Sequence, residues 1–285
     1  INNNTDYVIF PETAVPYGVN VDSLQGDLTI QQLEKFITPY PKLKLITGIS
    51  LFRVFVAGTP NIPSTASELR RPAGWYFDDY NAAIQIGNGD SYQVYYKSKL
   101  VPGPEMFPFA KWLKPFQQKF FGETGGMIGD LGTQKERSVF VNSKNDFKAA
   151  PVICYESIYG AYCGRYVQNG ASFISISTND AWWGDTPGYK QLLAYARIRS
   201  VECRRSIARS ANTGISCFIN QRGDVISPTI YNTDAAISGT INANDHLTFY
   251  VKHGDYLGRI CLWMGLLMVA FTYIKSILER RKRLK

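Results

Sequence analysis

Cys154 is the residue of this sequence whose position best suits a nucleophile. It lies near the end of the apolar run 149–155, which is typical of a buried strand, and α/β proteins place reactive groups where a strand feeds a loop. A catalytic thiol needs a base that takes its proton and a cation that favours the thiolate. The chain has only two histidines, His246 and His253, so a carboxylate and a lysine are the available substitutes and a His-rich metal site is excluded. The alternative for Cys154 is a buried structural cysteine.

Glu12 and Lys97 occupy comparable positions in the chain. Glu12 follows the apolar run 7–10 in the segment Phe-Pro-Glu, and Lys97 follows the alternating run 92–96. Taken singly, an acid beside a proline and a lysine after a strand are ordinary solvated loop residues. Together with Cys154 they supply a base, a cation and a nucleophile, which favours a Glu–Lys–Cys catalytic site.

These segments resemble, in chain order, the signatures of the nitrilase (carbon–nitrogen hydrolase) superfamily. Within it the sequence looks most like the apolipoprotein N-acyltransferase family, over roughly residues 5–280. The Pro-Gly-Pro before Glu105 departs from the Pro-Phe-Gly expected there, which leaves the local loop shape open. The matching segments are Pro11-Glu12, Lys97-Ser-Lys-Leu-Val-Pro with Glu105, Ile153-Cys-Tyr-Glu156, Ser177-Thr-Asn-Asp-Ala-Trp-Trp-Gly-Asp185, and Arg197-Ile-Arg with Arg209-Ser-Ala-Asn-Thr-Gly214.

The resemblance implies a role for each of the three central residues. Glu12 would act as general base and Cys154 as nucleophile. Lys97, together with the backbone N–H of Tyr155, would stabilise the oxyanion of the tetrahedral intermediate. The expected catalytic residues are therefore Glu12, Lys97 and Cys154.

Five further residues are expected to support this site. Glu105 resembles the family's additional essential acid, on a loop over the site. Tyr155 and Glu156 adjoin the nucleophile and are expected to shape its pocket. Trp182 and Trp183 are candidates for the lining of an acyl pocket, with core packing as an equal alternative. Neither a metal nor a cofactor is expected.

The resemblance also implies the substrates and the partners. Cys154 would take an acyl chain from a phospholipid donor, and the thioester would pass it to the N-terminal diacylglyceryl-cysteine of an apolipoprotein, beside a membrane. The alternative is a membrane-anchored amidase or nitrilase that hydrolyses small amides with the same residues. A third possibility, from another class, is a binding module with a vestigial triad.

The overall charge does not indicate nucleic-acid binding. The 285 residues carry a formal net charge of +8, but the segment 275–285 holds six basic residues and one acid. The rest of the chain therefore has an ordinary surface, and no nucleic-acid partner is expected. Five cysteines without a CxxC pair do not make a disulfide scaffold, and the state of Cys163, Cys203 and Cys217 stays open.

The end of the chain predicts a transmembrane helix. Fifteen uncharged residues lie between Arg259 and Lys275, and the span 256–278 is long enough for a bilayer if these two side chains snorkel. The alternative is a buried or amphipathic helix. The basic tail 279–285 predicts a cytoplasmic C-terminus, with residues 1–255 on the periplasmic side of a bacterial inner membrane.

The rest of the chain predicts an α/β layered fold, and the resemblance specifies a nitrilase-like αββα sandwich. Residues 1–255 would form this catalytic domain, with its N-terminal portion missing from the chain. The apolar spacing of residues 30–37 predicts a helix capped by Thr29, and residues 189–209, free of Gly and Pro, predict a longer one. Further strands are expected at 45–50, 172–177, 214–220 and 235–241. Residues 102–132 are expected to form a surface loop whose aromatic side chains could enter lipid.

Overall fold

Two sheets and their flanking helices make up most of the computed structural model, which describes residues 1–69, 71–106 and 130–283. In the first sheet, β3 and β5 pair antiparallel along thirteen residues, β1 and β2 run parallel to β3, and β4 and β6 pair with β5. Its strands are β1 (Tyr7–Ile9), β2 (Val15–Asn20), β3 (Lys44–Val56), β4 (Ser67–Glu68), β5 (Trp75–Gly87) and β6 (Gln93–Tyr96).

The second sheet has the order β12-β11-β10-β9-β8-β7 among the described residues. Strands β8, β9 and β10 run parallel, because helices α2 (Gly160–Gln168) and α3 (Pro187–Cys203) provide the crossovers between them. The strands are β7 (Phe140–Val141), β8 (Lys148–Ile153), β9 (Phe173–Thr178), β10 (Ile207–Ala211), β11 (Cys217–Ile219) and β12 (Val225–Ile226).

The alternation of side chains along β9 shows how the two sheets face each other. The Phe173 ring contacts the Tyr7 ring of the first sheet at 4.9 Å, and the Ser177 hydroxyl donates to the Phe10 carbonyl at 2.9 Å. Successive side chains of a strand point to opposite faces, so Ile174 and Ile176 point the other way, into the core formed with helices α2 and α3.

Helix α1 (Leu28–Ile37) covers the outer face of the first sheet. Its Ile30 and Ile37 are fully buried in a cluster with strand residues that include Leu45, Ile49, Ala82 and Ile84. The Asp27 side chain accepts hydrogen bonds from the backbone N–H of residues 29 and 30, so the cap is Asp27 and the expected cap Thr29 is wrong. Helices outside two facing sheets confirm the αββα sandwich.

Several expected boundaries are wrong. The helix expected over 189–209 ends at Cys203, because Arg204 adopts a left-handed conformation with φ 48°, and the next residues form β10. A segment without Gly and Pro can form either a helix or a strand. Residues after Arg204 form a strand, which buries the apolar Ile207 beside β9. The 149–155 strand ends at Ile153, where a 3-10 helix begins.

Two strand predictions in the last part of the sandwich also differ from the structure. Residues 235–241 form no strand and are mostly exposed, whereas 214–220 contributes only Cys217–Ile219. The long central strand β5 was not anticipated at all. Within the segment 102–132, residues 107–129 lie outside the described part, as do the aromatic side chains expected there: Phe107, Phe109, Trp112, Phe116, Phe120 and Phe121.

The chain ends in a short helix α4 (Phe249–His253) and a long helix α5 (Tyr256–Arg283). The most apolar stretch of the span Tyr256–Arg280 has a mean hydropathy of 1.8, and none of that stretch is buried against the domain. Helix α5 is therefore long and apolar enough to cross a membrane, and its exposure contradicts the alternative of a buried core helix. The boundaries 1–255, 256–278 and 279–285 stay a prediction.

Candidate active site

The expected catalytic residues follow strands whose ends meet at one edge of the sandwich. Glu12 follows β1, Lys97 follows β6, and Cys154 follows β8. Strands β1 and β6 run in the same direction in the first sheet. The hydrogen bond from Ser177 at the end of β9 to the Phe10 carbonyl joins the two sheets beside Glu12. The sandwich therefore presents these loops to a common site.

A buried cluster of polar side chains surrounds the Lys97 ammonium. Its Nζ donates to Glu12 Oε1 and to Glu105 Oε1, each at 2.8 Å. The Asn81 amide donates to the same two oxygens, at 2.7 and 2.8 Å. The side chains of Lys97 and Glu12 are 1% and 3% exposed, so the ion pair is shielded from water. Two carboxylates and two donors thus hold one another in place.

Cys154 begins the 3-10 helix Cys154–Ile158 with a φ of 46°, which is uncommon for a non-glycine residue. A backbone of this kind turns sharply out of the strand, and strained turns are typical of nucleophile positions. Burial raises the pKa of the Cys154 thiol to about 12; the Glu12 charge raises it too, and Lys97 lowers it. Burial therefore favours the neutral thiol at this position.

The electrostatics of Lys97 fit a permanently charged group. Burial alone would lower its pKa, but the nearby Glu12, Cys154 and Glu105 raise the pKa above the ordinary value for lysine. Lys97 carries three N–H donors, of which two point at Glu12 and Glu105. Within residues 1–69, 71–106 and 130–283 no third acceptor contacts the Lys97 Nζ.

The Glu12 carboxylate is fixed from two further directions. Its Oε2 accepts the backbone N–H of Asn179, at 2.8 Å, from the loop after β9. Gly48 on β3 lies directly beneath, where an added Cβ would be 2.5 Å from the Glu12 Cα and from the Pro11 carbonyl oxygen. A glycine is therefore needed here so that the Glu12 turn can approach the sheet.

The loop that follows Lys97 positions Glu105. Its Oε2 accepts the backbone N–H of Val101 at 2.8 Å, and its own N–H donates to the Val101 carbonyl. With its side chain 14% exposed and paired with Lys97, Glu105 is part of the cluster and not a solvated loop residue. The loop therefore places a carboxylate beside Lys97, although its Pro-Gly-Pro sequence differs from the Pro-Phe-Gly expected there.

Glu156 is buried away from solvent and organises the loops. Its Oε1 accepts the hydroxyls of Tyr95 and Tyr162, at 2.7 and 2.6 Å, and the backbone N–H of Ser98 at 2.7 Å. Its Oε2 accepts the N–H of Ile153 at 3.0 Å, and burial raises its pKa. Glu156 thus ties the turn that carries Cys154 to the loop that carries Lys97.

The remaining expected residues lie closer to the surface. Tyr155 is half-buried, with its ring edge-on to that of Tyr159 at 5.6 Å. Trp182 and Trp183 lie in the 3-10 helix Asp180–Trp183 and are 74% and 40% exposed, so core packing of these two tryptophans is wrong. A role for them in an acyl pocket stays a prediction.

Sequence reasoning did not single out Asn81 or the network behind the thiol. Asp180 pairs with Arg209 at 2.7 Å and accepts the Thr178 hydroxyl at 2.8 Å. Asp180 and Arg209 lie in the segments 177–185 and 209–214, whose resemblance to the family could have indicated this network. Nothing indicated Asn81, because the sequence analysis predicts no strand over β5.

In the described part of the chain no group of three or more His, Cys, Asp or Glu side chains could hold a metal ion. The cysteines whose pairing was open are free and buried: Cys163, Cys203 and Cys217. A neutral thiol, a fixed carboxylate and a buried ammonium can together perform nucleophilic acyl transfer.

Comparison with known proteins assigns the chain to a family. Residues 1–246 match the family model for carbon-nitrogen hydrolase. The apolipoprotein N-acyltransferase of Chlorobaculum tepidum is 29% identical over 264 residues, covering 90% of this chain and 47% of that protein. The Pasteurella multocida apolipoprotein N-acyltransferase is 28% identical over 284 residues, covering 97% and 48%. The chain thus spans about half the length of these curated relatives.

A solved structure agrees with the fold. Saccharomyces cerevisiae Nit3, a member of branch 10 of the nitrilase superfamily, superposes with a TM-score of 0.52 at 14% identity, covering 81% of this chain and 74% of Nit3. At this identity the likeness concerns the fold alone. The family model matches residues 1–246, which is most of the chain, and the fold is the sandwich expected for that family. The chain therefore belongs to the carbon-nitrogen hydrolase family of the nitrilase superfamily.

Proposed function

We propose that this protein is an N-acyltransferase that moves an acyl chain from a phospholipid, through a thioester on Cys154, to the N-terminal amine of a diacylglyceryl-cysteine apolipoprotein. The observation that carries the proposal is the buried Lys97–Glu12 pair, at 2.8 Å, whose carboxylate is held by the Asn179 N–H at the end of β9, the strand that pairs with the one before Cys154. The names of the relatives from Chlorobaculum tepidum and Pasteurella multocida support the acceptor.

In the first step the Cys154 Sγ attacks the ester carbonyl of the donor while Glu12 takes the thiol proton. The third N–H of Lys97 and the backbone N–H of Tyr155 stabilise the oxyanion. The C–O bond of the tetrahedral intermediate then breaks. Glu12 returns the proton to the departing alkoxide, which leaves as a lysophospholipid.

In the second step the acceptor amine attacks the thioester, and Glu12 takes its proton. The C–S bond breaks and the thiolate of Cys154 is protonated again, which restores the resting site. Two carboxylates, Glu12 and Glu105, share the single ammonium of Lys97, so the cluster keeps an excess of negative charge. This excess favours the approach of an α-ammonium group, which an apolipoprotein N-terminus carries and a neutral small amide does not; the group releases one proton to solvent and then attacks as the free amine.

The same proposal accounts for helix α5. Both substrates reside in a bilayer, and a 25-residue span of about 37 Å would anchor the sandwich beside them. The basic residues after the span favour a cytoplasmic C-terminus, which puts the catalytic domain on the periplasmic side of the inner membrane.

The substrate class is tested with the full-length protein in phosphatidylethanolamine vesicles and a synthetic peptide that begins with diacylglyceryl-cysteine. Mass spectrometry should show a gain of one acyl chain on the peptide's α-amine. The matched control is the same peptide with its α-amine acetylated, which should gain nothing.

Release of ammonia from small amides without acyl transfer would refute the proposal and assign the chain to the amidase alternative. The absence of both reactions in a folded protein would favour the vestigial site.

A further inference from the structure

Arg137 lies outside the cluster around Lys97, in the segment that precedes β7, and it joins two other parts of the chain. Its Nη1 donates to the hydroxyl of Tyr162 on α2 at 2.7 Å and to that of Tyr95 on β6 at 3.3 Å. Its Nη2 donates to the Lys135 carbonyl at 2.8 Å, and its Cζ lies 4.1 Å from the centre of the Tyr162 ring. The planar fork of the guanidinium therefore ties this segment to two buried phenols.

The same two phenols hold the Glu156 carboxylate. The hydroxyls of Tyr95 and Tyr162 donate to its Oε1 at 2.7 and 2.6 Å. Glu156 is fully buried, and among the residues that the structure describes it forms no ion pair. A buried carboxylate without a cation beside it depends on its hydrogen-bond donors. The charge of Arg137 thus reaches Glu156 through the phenols.

A count of protons shows what Arg137 adds to this network. Each phenol has a single proton, and the hydroxyls of Tyr95 and Tyr162 also lie in hydrogen-bonding contact with each other. One phenol can therefore donate to the other instead of to Glu156. Arginine has no acceptor, so its N–H groups occupy the acceptor side of both phenol oxygens and compete with that alternative. Both phenol protons are then directed to the carboxylate.

Glu156 uses its remaining hydrogen bonds to hold the two catalytic turns. Its Oε1 also accepts the N–H of Ser98, the residue after Lys97, at 2.7 Å. Its Oε2 accepts the N–H of Ile153, the residue before Cys154, at 3.0 Å. The carboxylate thus sets the separation of the turns that carry the ammonium and the nucleophile.

We propose that Arg137 is a positioning residue, which directs the Tyr95 and Tyr162 protons to Glu156 and so fixes the turns of Lys97 and Cys154 relative to each other. The inference rests on the proposed catalytic roles of these two turns, but it does not depend on which acyl donor or acceptor is used. Arg137 itself touches neither the nucleophile nor the ammonium among the contacts that its side chain makes.

The test is hydrogen exchange of the full-length protein in detergent micelles, read by mass spectrometry on peptides that contain the Ser98 and Ile153 amides. Arg137→Met keeps the length of the side chain but removes its donors and its charge, so both amides should exchange about 10-fold faster or more. In turnover, kcat should fall about 10-fold with little change in KM, because bound substrate would meet a misplaced ammonium and thiol. Arg165→Met removes an exposed arginine from α2 and should match the wild type in both measurements.

Tyr162→Phe is a second, smaller change that guards against misfolding of Arg137→Met. It removes one phenol proton and one acceptor of Arg137, so the same two amides should again exchange faster. Because both residues act on one carboxylate, adding Arg137→Met to Tyr162→Phe should lower kcat by less than about threefold further.

Wild-type exchange at both amides in a folded Arg137→Met or Tyr162→Phe protein would overturn the inference. Effects on kcat that multiply in the double variant would also overturn it, since Arg137 would then act independently of the phenol. The exchange is measured without substrate, so failure of the proposed acyl transfer would leave its result unchanged and the two proposals fail separately.

Discussion

Replacing Glu105 by glutamine removes one negative charge from the Lys97 cluster while keeping the shape of the side chain. The carboxylate accepts three hydrogen bonds, from Lys97 Nζ, Asn81 Nδ2 and the Val101 N–H, each at 2.8 Å. A glutamine has one oxygen and one NH₂ group. Whichever way the amide is turned, its NH₂ meets a donor, either the Val101 N–H or the Lys97–Asn81 pair.

The size of the effect follows from these contacts. A hydrogen bond to a charged group contributes about 1.5–3 kcal/mol, and about 2.7 kcal/mol corresponds to 10²-fold in rate. We expect Glu105→Gln to slow turnover about 10²-fold or more. Because Lys97 serves both steps, formation of the thioester and its aminolysis should slow together.

The assay is single-turnover kinetics, with the thioester followed by rapid quench and intact mass and its aminolysis followed after addition of the acceptor peptide. Glu136→Gln, which changes an exposed acid in the next segment, is the matched control. Rates for both steps within about threefold of the wild type would refute the coupling of Glu105 to the chemistry, because threefold is only about 0.7 kcal/mol.

Substitutions at three further positions, Cys154, Asn81 and Gly48, test other parts of the site, with Cys163→Ala as a control. Cys154→Ala should abolish the acyl-enzyme, and Cys154→Ser should be nearly inactive because a hydroxyl is far less acidic than a thiol. Cys163→Ala should retain activity, and wild-type turnover in Cys154→Ser would show that the nucleophile is wrongly named. Asn81→Asp adds a third carboxylate beside two others and should lower kcat about 10²-fold with the fold intact by circular dichroism, and an unchanged kcat would remove Asn81 from the site. Gly48→Ala should displace the Glu12 turn and lower kcat at least about 10-fold, with retained activity indicating that the turn can move at little cost.

The positions of Glu12, Lys97 and Cys154 could be predicted from the sequence because each follows an apolar strand and belongs to a recognisable segment. Their geometry could not, since it depends on pairing between two sheets. Asn81 shows the limit clearly. It lies in β5, where Asp78, Asp79 and Gln85 interrupt the apolar pattern that predicts a strand.

Tertiary context also decided the end of helix α3. Residues 204–209 have the composition of a helix, but the chain reverses at Arg204 and Ile207 pairs with β9. The sequence carries no glycine at that reversal to signal it. In contrast, the apolar character of α5 depends on composition alone, so the sequence predicts a helix that could span a membrane.

The central claim is that Cys154 carries the acyl chain, and intact-mass analysis of the full-length protein incubated with phospholipid alone tests it most directly. We predict a mass increase of one acyl chain, located on the peptide that contains Cys154, removed by hydroxylamine and absent in Cys154→Ala. An acyl adduct on another residue, or one that persists in Cys154→Ala, would contradict it, as would a folded wild-type protein that gains no mass.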